Sequence, residues 1–142
     1  MPGASGGAPG FPNLKNMNTP LVSLAIIVGP NEGELVSRLI KCTAGLWDEV
    51  VVVSACGKND AQSVRICAQE ACGEALVWGE YLNAPEHADW PHIDHFAAAR
   101  NKAFSLATGK YVIWFDADDL LDPGQAKLHR DAIEQRESQK EG

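Results

Sequence analysis

The sequence predicts an α/β fold, a mostly parallel sheet with helices on both faces, on three observations. Short β-branched apolar runs alternate along the chain with stretches of helical apolar spacing, the pattern of parallel strands joined by helical crossovers. The run from Glu49 to Ala55 holds four consecutive valines, as a strand buried on both faces does. Finally, Tyr111-Val112-Ile113-Trp114-Phe115 ends abruptly in Asp116-Ala117-Asp118-Asp119, so that a buried strand delivers three carboxylates to one sheet edge.

The elements follow in order. Residues 1–20 are rich in Gly, Pro, Asn and Ser with few large apolar groups, and cannot recover their ordering entropy by burial; they are expected to form a disordered leader. Leu21 to Val28 is a nearly continuous apolar run bounded by Pro20, Gly29 and Pro30, too short for a helix, and reads as the first strand. Asn31 is the expected N-cap of the first helix, with Glu34 three residues on and Leu35, Val36, Leu39 and Ile40 in one stripe reaching about Thr43. The valine strand comes next. Gly57 then turns the chain, Asn59 or Asp60 caps, and Val64, Cys67, Ala68 and Ala71 recur at helical spacing before Gly73.

Ala75 to Trp78 gives a third strand, and residues 80–93 a long loop with Pro85, Trp90, Pro91 and two histidines; loops of that length in compact domains are often functional. Asp94 is the expected cap of a third helix lined by Phe96, Ala99, Ala103, Leu106 and Ala107 and stopped by Gly109. After the acid-tipped strand, Asp122-Pro123 places a good N-cap before a first-turn proline. The polar helix that follows, to about Arg136, offers only Ala126, Leu128, Ala132 and Ile133 to a core. The expected domain covers residues 21–137, with residues 138–142 as a tail.

The 142 residues and their 45% apolar content suit one domain with one core. Acids outnumber bases 19 to 12, and the bases form no run, which argues against nucleic acid or anionic membrane as a partner held by bulk charge. Cys42, Cys56, Cys67 and Cys72 include no Cys-x-x-Cys pair and read as reduced, mostly buried thiols. No signal sequence or membrane-spanning apolar run is present, so a cytoplasmic location is the default expectation.

Ligands of open parallel sheets bind outside the carboxyl ends of the strands, near the point where strand order reverses. Three segments fall at such ends: Gly29-Pro30-Asn31-Glu32, Ala55 to Asp60, and Asp116-Ala117-Asp118. If the last strand stays extended past Phe115, Asp116 and Asp118 point the same way and Asp119 the opposite way. Two carboxylates so placed suit Mg²⁺ or Mn²⁺, hard cations that take oxygen ligands together with water and substrate phosphates. His87, His92 and His95 lack a zinc pattern and read as surface or capping residues. Trp78, Trp90 and Trp114 read as packing residues, with Trp90 the one placed to move on binding.

These features together resemble the family-two glycosyltransferases, over Leu21 to about Pro123. The likeness rests on the first strand with its Asn31-Glu32 ending, the Gly57-x-x-Asp60 turn, His95-Phe96-Ala97-Ala98-Ala99-Arg100-Asn101, Ala107-Thr108-Gly109-Lys110-Tyr111, and the Asp116-x-Asp118 motif. It implies a GT-A fold, a Rossmann-like three-layer sandwich, and binding of a UDP- or GDP-linked nucleotide sugar with Mn²⁺ or Mg²⁺. On that resemblance Pro30, Asn31 and Glu32 would line base and ribose, Arg100 and Asn101 would face the nucleotide, Asp116 would approach the ribose, and Asp118 would ligate the metal. Sugar transfer would invert the anomeric centre by direct attack of an acceptor hydroxyl. The family usually has an aspartate where Ala55 stands and favours serine at Lys58, which implies altered or lost base recognition. Its acceptor-binding half and general base follow the acidic motif, so this chain is expected to be the donor-binding half, completed by a C-terminal half or a partner chain. The acceptor, the catalytic base and the sugar are not read from the sequence. Two other readings stand beside it: a degenerate, non-catalytic donor-fold module for interaction or assembly, and a nucleotidyltransferase, which normally has a basic Gly-rich loop where Gly29-Pro30-Asn31-Glu32 stands.

Overall fold

The structure, a computed structural model, describes residues 19–141. The expected leader lies, but for its last two residues, outside them. In chain order the elements are β1 (Val22–Val28), α1 (Gly33–Cys42), β2 (Glu49–Ser54), α2 (Gln62–Cys72), β3 (Leu76–Glu80), α3 (Phe96–Leu106), β4 (Tyr111–Asp116) and α4 (Pro123–Glu141). All strand pairs are parallel and the order is β3-β2-β1-β4. The chain builds outward from β1 to β3 and then returns to the other side of β1, so the strand order reverses between β1 and β4.

Period-two alternation sorts the strand residues into two apolar layers. Leu24, Ile26 and Val28 of β1 with Val50 and Val52 of β2 pack on Val36, Leu39 and Ile40 of α1, Val64 and Ala68 of α2, and Ala126 of α4. Ala25, Val51 and Val53 face the other way, onto Ala103 and Leu106 of α3 and Trp114 of β4. Val50 to Val53 are all fully buried, and each such side chain contributes about 1.5–3 kcal/mol of apolar transfer. The sheet is thus covered on both faces, as the valine run required. No described helix is long and apolar enough to cross a membrane.

Polar clasps hold the amino ends of the strands, away from the cleft. Ser23 Oγ donates to Glu49 (2.6 Å), and Glu49 accepts from both N–H and Oγ1 of Thr108 (2.9 Å each). Gly109 N–H donates to Ser23 Oγ, and a Cβ at Gly109 would stand 2.6 Å from that oxygen. The Ala107-Thr108-Gly109 motif is therefore structural. Asp48 similarly accepts from the N–H groups of Leu21 and Val22 and from Arg130 of α4. Burial raises its pKa, but the Val22 N–H, the Arg130 guanidinium and the Leu21 N–H together hold it below the usual carboxylate value.

Several local expectations are corrected. Asn31 does not cap α1; it takes a left-handed φ of 67°, which asparagine tolerates, and Glu32 becomes the N-cap residue while its carboxylate accepts from Gly29 N–H at 2.6 Å. Asp94 does not cap α3; that cap is His95, whose Nδ1 accepts from Ala98 N–H at 3.0 Å, because Asp94 is held by other donors. The third strand runs from Leu76 to Glu80, its last two residues paired with Val53 and Ser54. Helix α4 continues past Arg136 to Glu141, supported by Lys127–Asp131 and Arg130–Glu134 pairs and by Glu137, which takes Lys110 and the Tyr111 hydroxyl. Its Leu128 is 67% exposed rather than in the core, and Ala132 is exposed. All four cysteines are free; Cys56 is buried and the others half-buried.

Candidate functional site

A cleft of about 240 Å³ opens at the carboxyl ends of β1, β2 and β4, where the strand order reverses. It is lined by Ile27, Gly29, Glu32, Ala55, Ile93, Phe96, Asp116, Ala117 and Asp118. Three separate segments meet there because parallel strands end together at one edge of the sheet.

The acidic side is built by a turn. Strand β4 stops at Asp116, and Ala117-Asp118 turn with Ala117 pressed into the core. Asp116 N–H donates to Asp119 Oδ2 (2.8 Å) while Asp119 N–H donates back to the Asp116 carbonyl (2.9 Å). The extended geometry needed for strand alternation therefore does not persist, and Asp119 does not point away. One carboxylate oxygen from each of Asp116, Asp118 and Asp119 lies within 4.8 Å of the others. At that spacing each pair of charges repels by about 1 kcal/mol even in a water-like dielectric. Among the described residues this is the one group of three acid, histidine or cysteine side chains so gathered.

The remaining wall is largely apolar. Ile27, Ala55, Ile93 and Phe96 face the cleft, and beside Ala55 burial pushes the Cys56 thiol pKa up. Gly57 closes the β2 end with φ of 61°, and a Cβ there would stand 2.4 Å from the Trp90 carbonyl oxygen. The site thus offers hard anionic oxygens on one side and hydrocarbon on the other. That combination suits a ligand with a cation-bridged anionic part and a flat apolar part.

Of the residues singled out in the sequence, Glu32, Asp116 and Asp118 line this cleft. Pro30 and Asn31 lie in the adjoining β1–α1 turn, half-buried and exposed respectively, outside the lining. Arg100 sits one ring away: its guanidinium carbon lies 5.2 Å from the ring centroids of both Phe96 and Trp114, a cation–π arrangement. Asn101 is exposed on α3 and outside the lining. The histidines do not converge on a metal. His87 Nδ1 meets Asp94 and its ring stacks on Trp90 at 4.0 Å, His92 tilts against Trp90, and His95 caps α3.

Asp119, Ile93 and Phe96 were not singled out for the site. Phe96 was placed on the helix stripe, yet it is 45% exposed and packs edge-on to Trp114 at 6.0 Å. Ile93 carried a signal, an isolated apolar residue between His92 and Asp94 in a polar loop. So did Asp119, since aspartate three residues after a strand-terminal N–H readily folds back to accept from it.

Comparison with known proteins bears on the fold. The glycosyl transferase family 2 model matches residues 90–139, from the loop through α3 and β4 into α4. A TPR repeat-containing protein of Synechococcus elongatus is 33% identical over 100 residues, which is 70% of this chain and 21% of that protein. Among solved structures, S. aureus TarS 1-349 aligns with a TM-score of 0.58 at 20% identity, over 81% of this chain and 32% of that one. The chain therefore spans about a fifth of the curated relative and a third of the TarS structure. It has the GT-A fold of the family-two glycosyltransferases, an α/β fold with a parallel sheet.

Proposed function

We propose that a chain with this family-two glycosyltransferase fold binds a nucleotide-diphosphate sugar, UDP- or GDP-linked, together with Mn²⁺ or Mg²⁺ in the cleft between β1 and β4. The whole enzyme would transfer the sugar to an acceptor with inversion. The observation that carries this reading is the gathering of Asp116, Asp118 and Asp119 at the reversal of strand order, beside an apolar wall.

The donor set fits the cation. Three carboxylates supply only hard oxygen, and Asp116 and Asp118 are exposed, leaving room for water and phosphate oxygens to complete the shell. Asp118 and Asp116 would hold the ion, with Asp119 beside them. When bound, such an ion converts an acidic edge that repels a diphosphate into an anion site and supplies Lewis acidity toward the leaving nucleoside diphosphate. The chain's own groups do the rest. Ile27, Ala55, Ile93 and Phe96 exclude water and receive the flat face of the base, while Glu32, through Gly29 N–H, fixes the turn that Pro30 and Asn31 occupy. Arg100, stacked on Phe96, would reach toward the nucleotide from α3, while Asn101, outside the lining, would meet it only at the rim. A cytoplasmic site of action goes with this reading and with the four free thiols.

The test is a melting experiment. A ligand held by the folded state alone at about 100 times its Kd adds about 2.7 kcal/mol of stability. UDP or GDP with Mn²⁺ is expected to raise the melting temperature more than nucleotide or metal alone. Equal shifts with and without metal would reject the metal-bridged site, and no shift at all would favour a non-catalytic module.

A further inference from the structure

Residues 81–95 lead into the cleft, giving it Ile93 and running on to Phe96, and their shape depends on a single acid. The Asp94 side chain is only 4% exposed. Its carboxylate nevertheless accepts from the Tyr81 hydroxyl (2.6 Å), the Ala84 N–H (2.9 Å) and His87 Nδ1 (2.8 Å). The Asp94 N–H in turn donates to Asn83 Oδ1, and the Asn83 amide donates to the carbonyls of His87 and His92. These bonds reach back over the loop and not forward to α3, which has its own cap in His95.

The folded loop is also fastened to the turn that follows β2. Lys58 N–H donates to the Trp90 carbonyl (2.8 Å), Asn59 Nδ2 donates to the Pro91 carbonyl (3.0 Å), and Gly57 leaves open the space that a Cβ would fill against Trp90, Pro91 and His92. Long surface loops ordinarily belong to the least stable part of a protein. Here their polar groups converge on one nearly covered carboxylate, whose removal would leave three donors without their acceptor. Ile93, next to Asp94, and Phe96, two residues on, are the loop-side lining of the cleft.

We infer that Asp94 is the positioning residue of the cleft: by collecting Tyr81, Ala84 and His87 it fixes residues 81–95 against β2, so that Ile93 and Phe96 present a preformed apolar wall to the ligand. What occupies the cleft rests on the donor-binding reading; the positioning does not. Preformed walls favour binding because the ordering cost has been met before the ligand arrives.

Amide hydrogen exchange and UDP titration with Mn²⁺ on the full 142-residue chain test this. In Asp94→Ala the Lys58 and Ala84 amides are expected to exchange on the order of tenfold faster while Val51 to Val53 keep their protection. UDP affinity with Mn²⁺ is expected to fall about tenfold, because the wall is displaced rather than deleted. Asp94→Asn, which keeps an acceptor oxygen, restores most of both. If Asp94→Ala does not fold, Tyr81→Phe withdraws one donor with the ring in place and gives the same pattern at smaller size. Unchanged Lys58 and Ala84 exchange in a folded variant would overturn the inference, as would equal quickening of the sheet amides. A wild-type chain that takes up no UDP with Mn²⁺ would defeat the donor reading alone, and the exchange comparison would still decide the role of Asp94.

Discussion

Gly57→Ala gives the sharpest test of how the cleft is assembled. At φ of 61° an alanine pays about 1–2 kcal/mol for the left-handed conformation. Its Cβ would also lie 2.4 Å from the Trp90 oxygen, 2.7 Å from the His92 nitrogen and 2.8 Å from the Pro91 carbonyl carbon, all backbone atoms that no rotamer change can clear. The loop must retreat by more than half an ångström. That stretches the Lys58-to-Trp90 and Asn59-to-Pro91 hydrogen bonds, each worth about 1 kcal/mol net. The total is about 3–4 kcal/mol, or a fall of roughly 10 °C in melting temperature for a domain of this size. Gly45→Ala is the control: φ is 96° but a Cβ would meet no atom within 4 Å, so only the conformational cost applies. Circular-dichroism melts of the two variants decide the matter. A Gly57→Ala loss no larger than that of Gly45→Ala would refute the claim that the loop and the turn after β2 are in contact there.

Asp118→Asn should remove the metal-dependent part of nucleotide binding while leaving the unliganded melting temperature unchanged or slightly raised, since it relieves repulsion among the three acids. Asp119→Ala should differ by lowering unliganded stability by about 1 kcal/mol, because the Asp116 N–H loses its acceptor; identical melts for the two variants would contradict the turn. Asp48 has its folded pKa held below the usual 3.8, so its contribution is complete above that value and is lost as pH falls through the folded one; Asp48→Asn should flatten the acid side of the stability curve below about pH 4, read by denaturant melts across pH. Burial pushes the Cys72 thiol up to about 11, so iodoacetamide near pH 8 should modify it far more slowly in the folded chain than in urea, as peptide mass spectrometry would show.

Elements were legible where the signal was local. Four valines in succession made β2, buried almost throughout, whereas the apolar run before Asp116 made β4 as a strand but not a buried one: it lies at the edge of the sheet with Val112 39% exposed. The convergence of the β1, β2 and β4 ends followed from parallel topology alone. What escaped was decided by partners distant in sequence or by backbone detail. Asn31 satisfied the pattern of an N-cap, but Glu32 could reach Gly29 N–H and Asn31 could accept a positive φ, and the cap moved one residue on to Glu32. Asp94 likewise had the sequence context of a cap, and nothing nearby announced that Tyr81, Ala84 and His87 would fold back onto it. The alternation argument for Asp119 assumed an extended chain, and a single backbone-to-carboxylate bond replaced the strand by a turn. In each case a carboxylate met a backbone donor, three residues back for Glu32 and Asp119 and ten for Asp94, that apolar periodicity does not register.

The most direct test of the proposed donor site is electron paramagnetic resonance of Mn²⁺ with UDP, comparing the wild-type chain with Asp118→Asn. Free aqueous Mn²⁺ gives a sharp signal that is lost on binding. The account predicts that wild type with UDP depletes this signal well beyond UDP alone, and that Asp118→Asn leaves it at the level of UDP alone. Equal depletion by the two proteins would contradict the assignment of the β4 acids as the cation site.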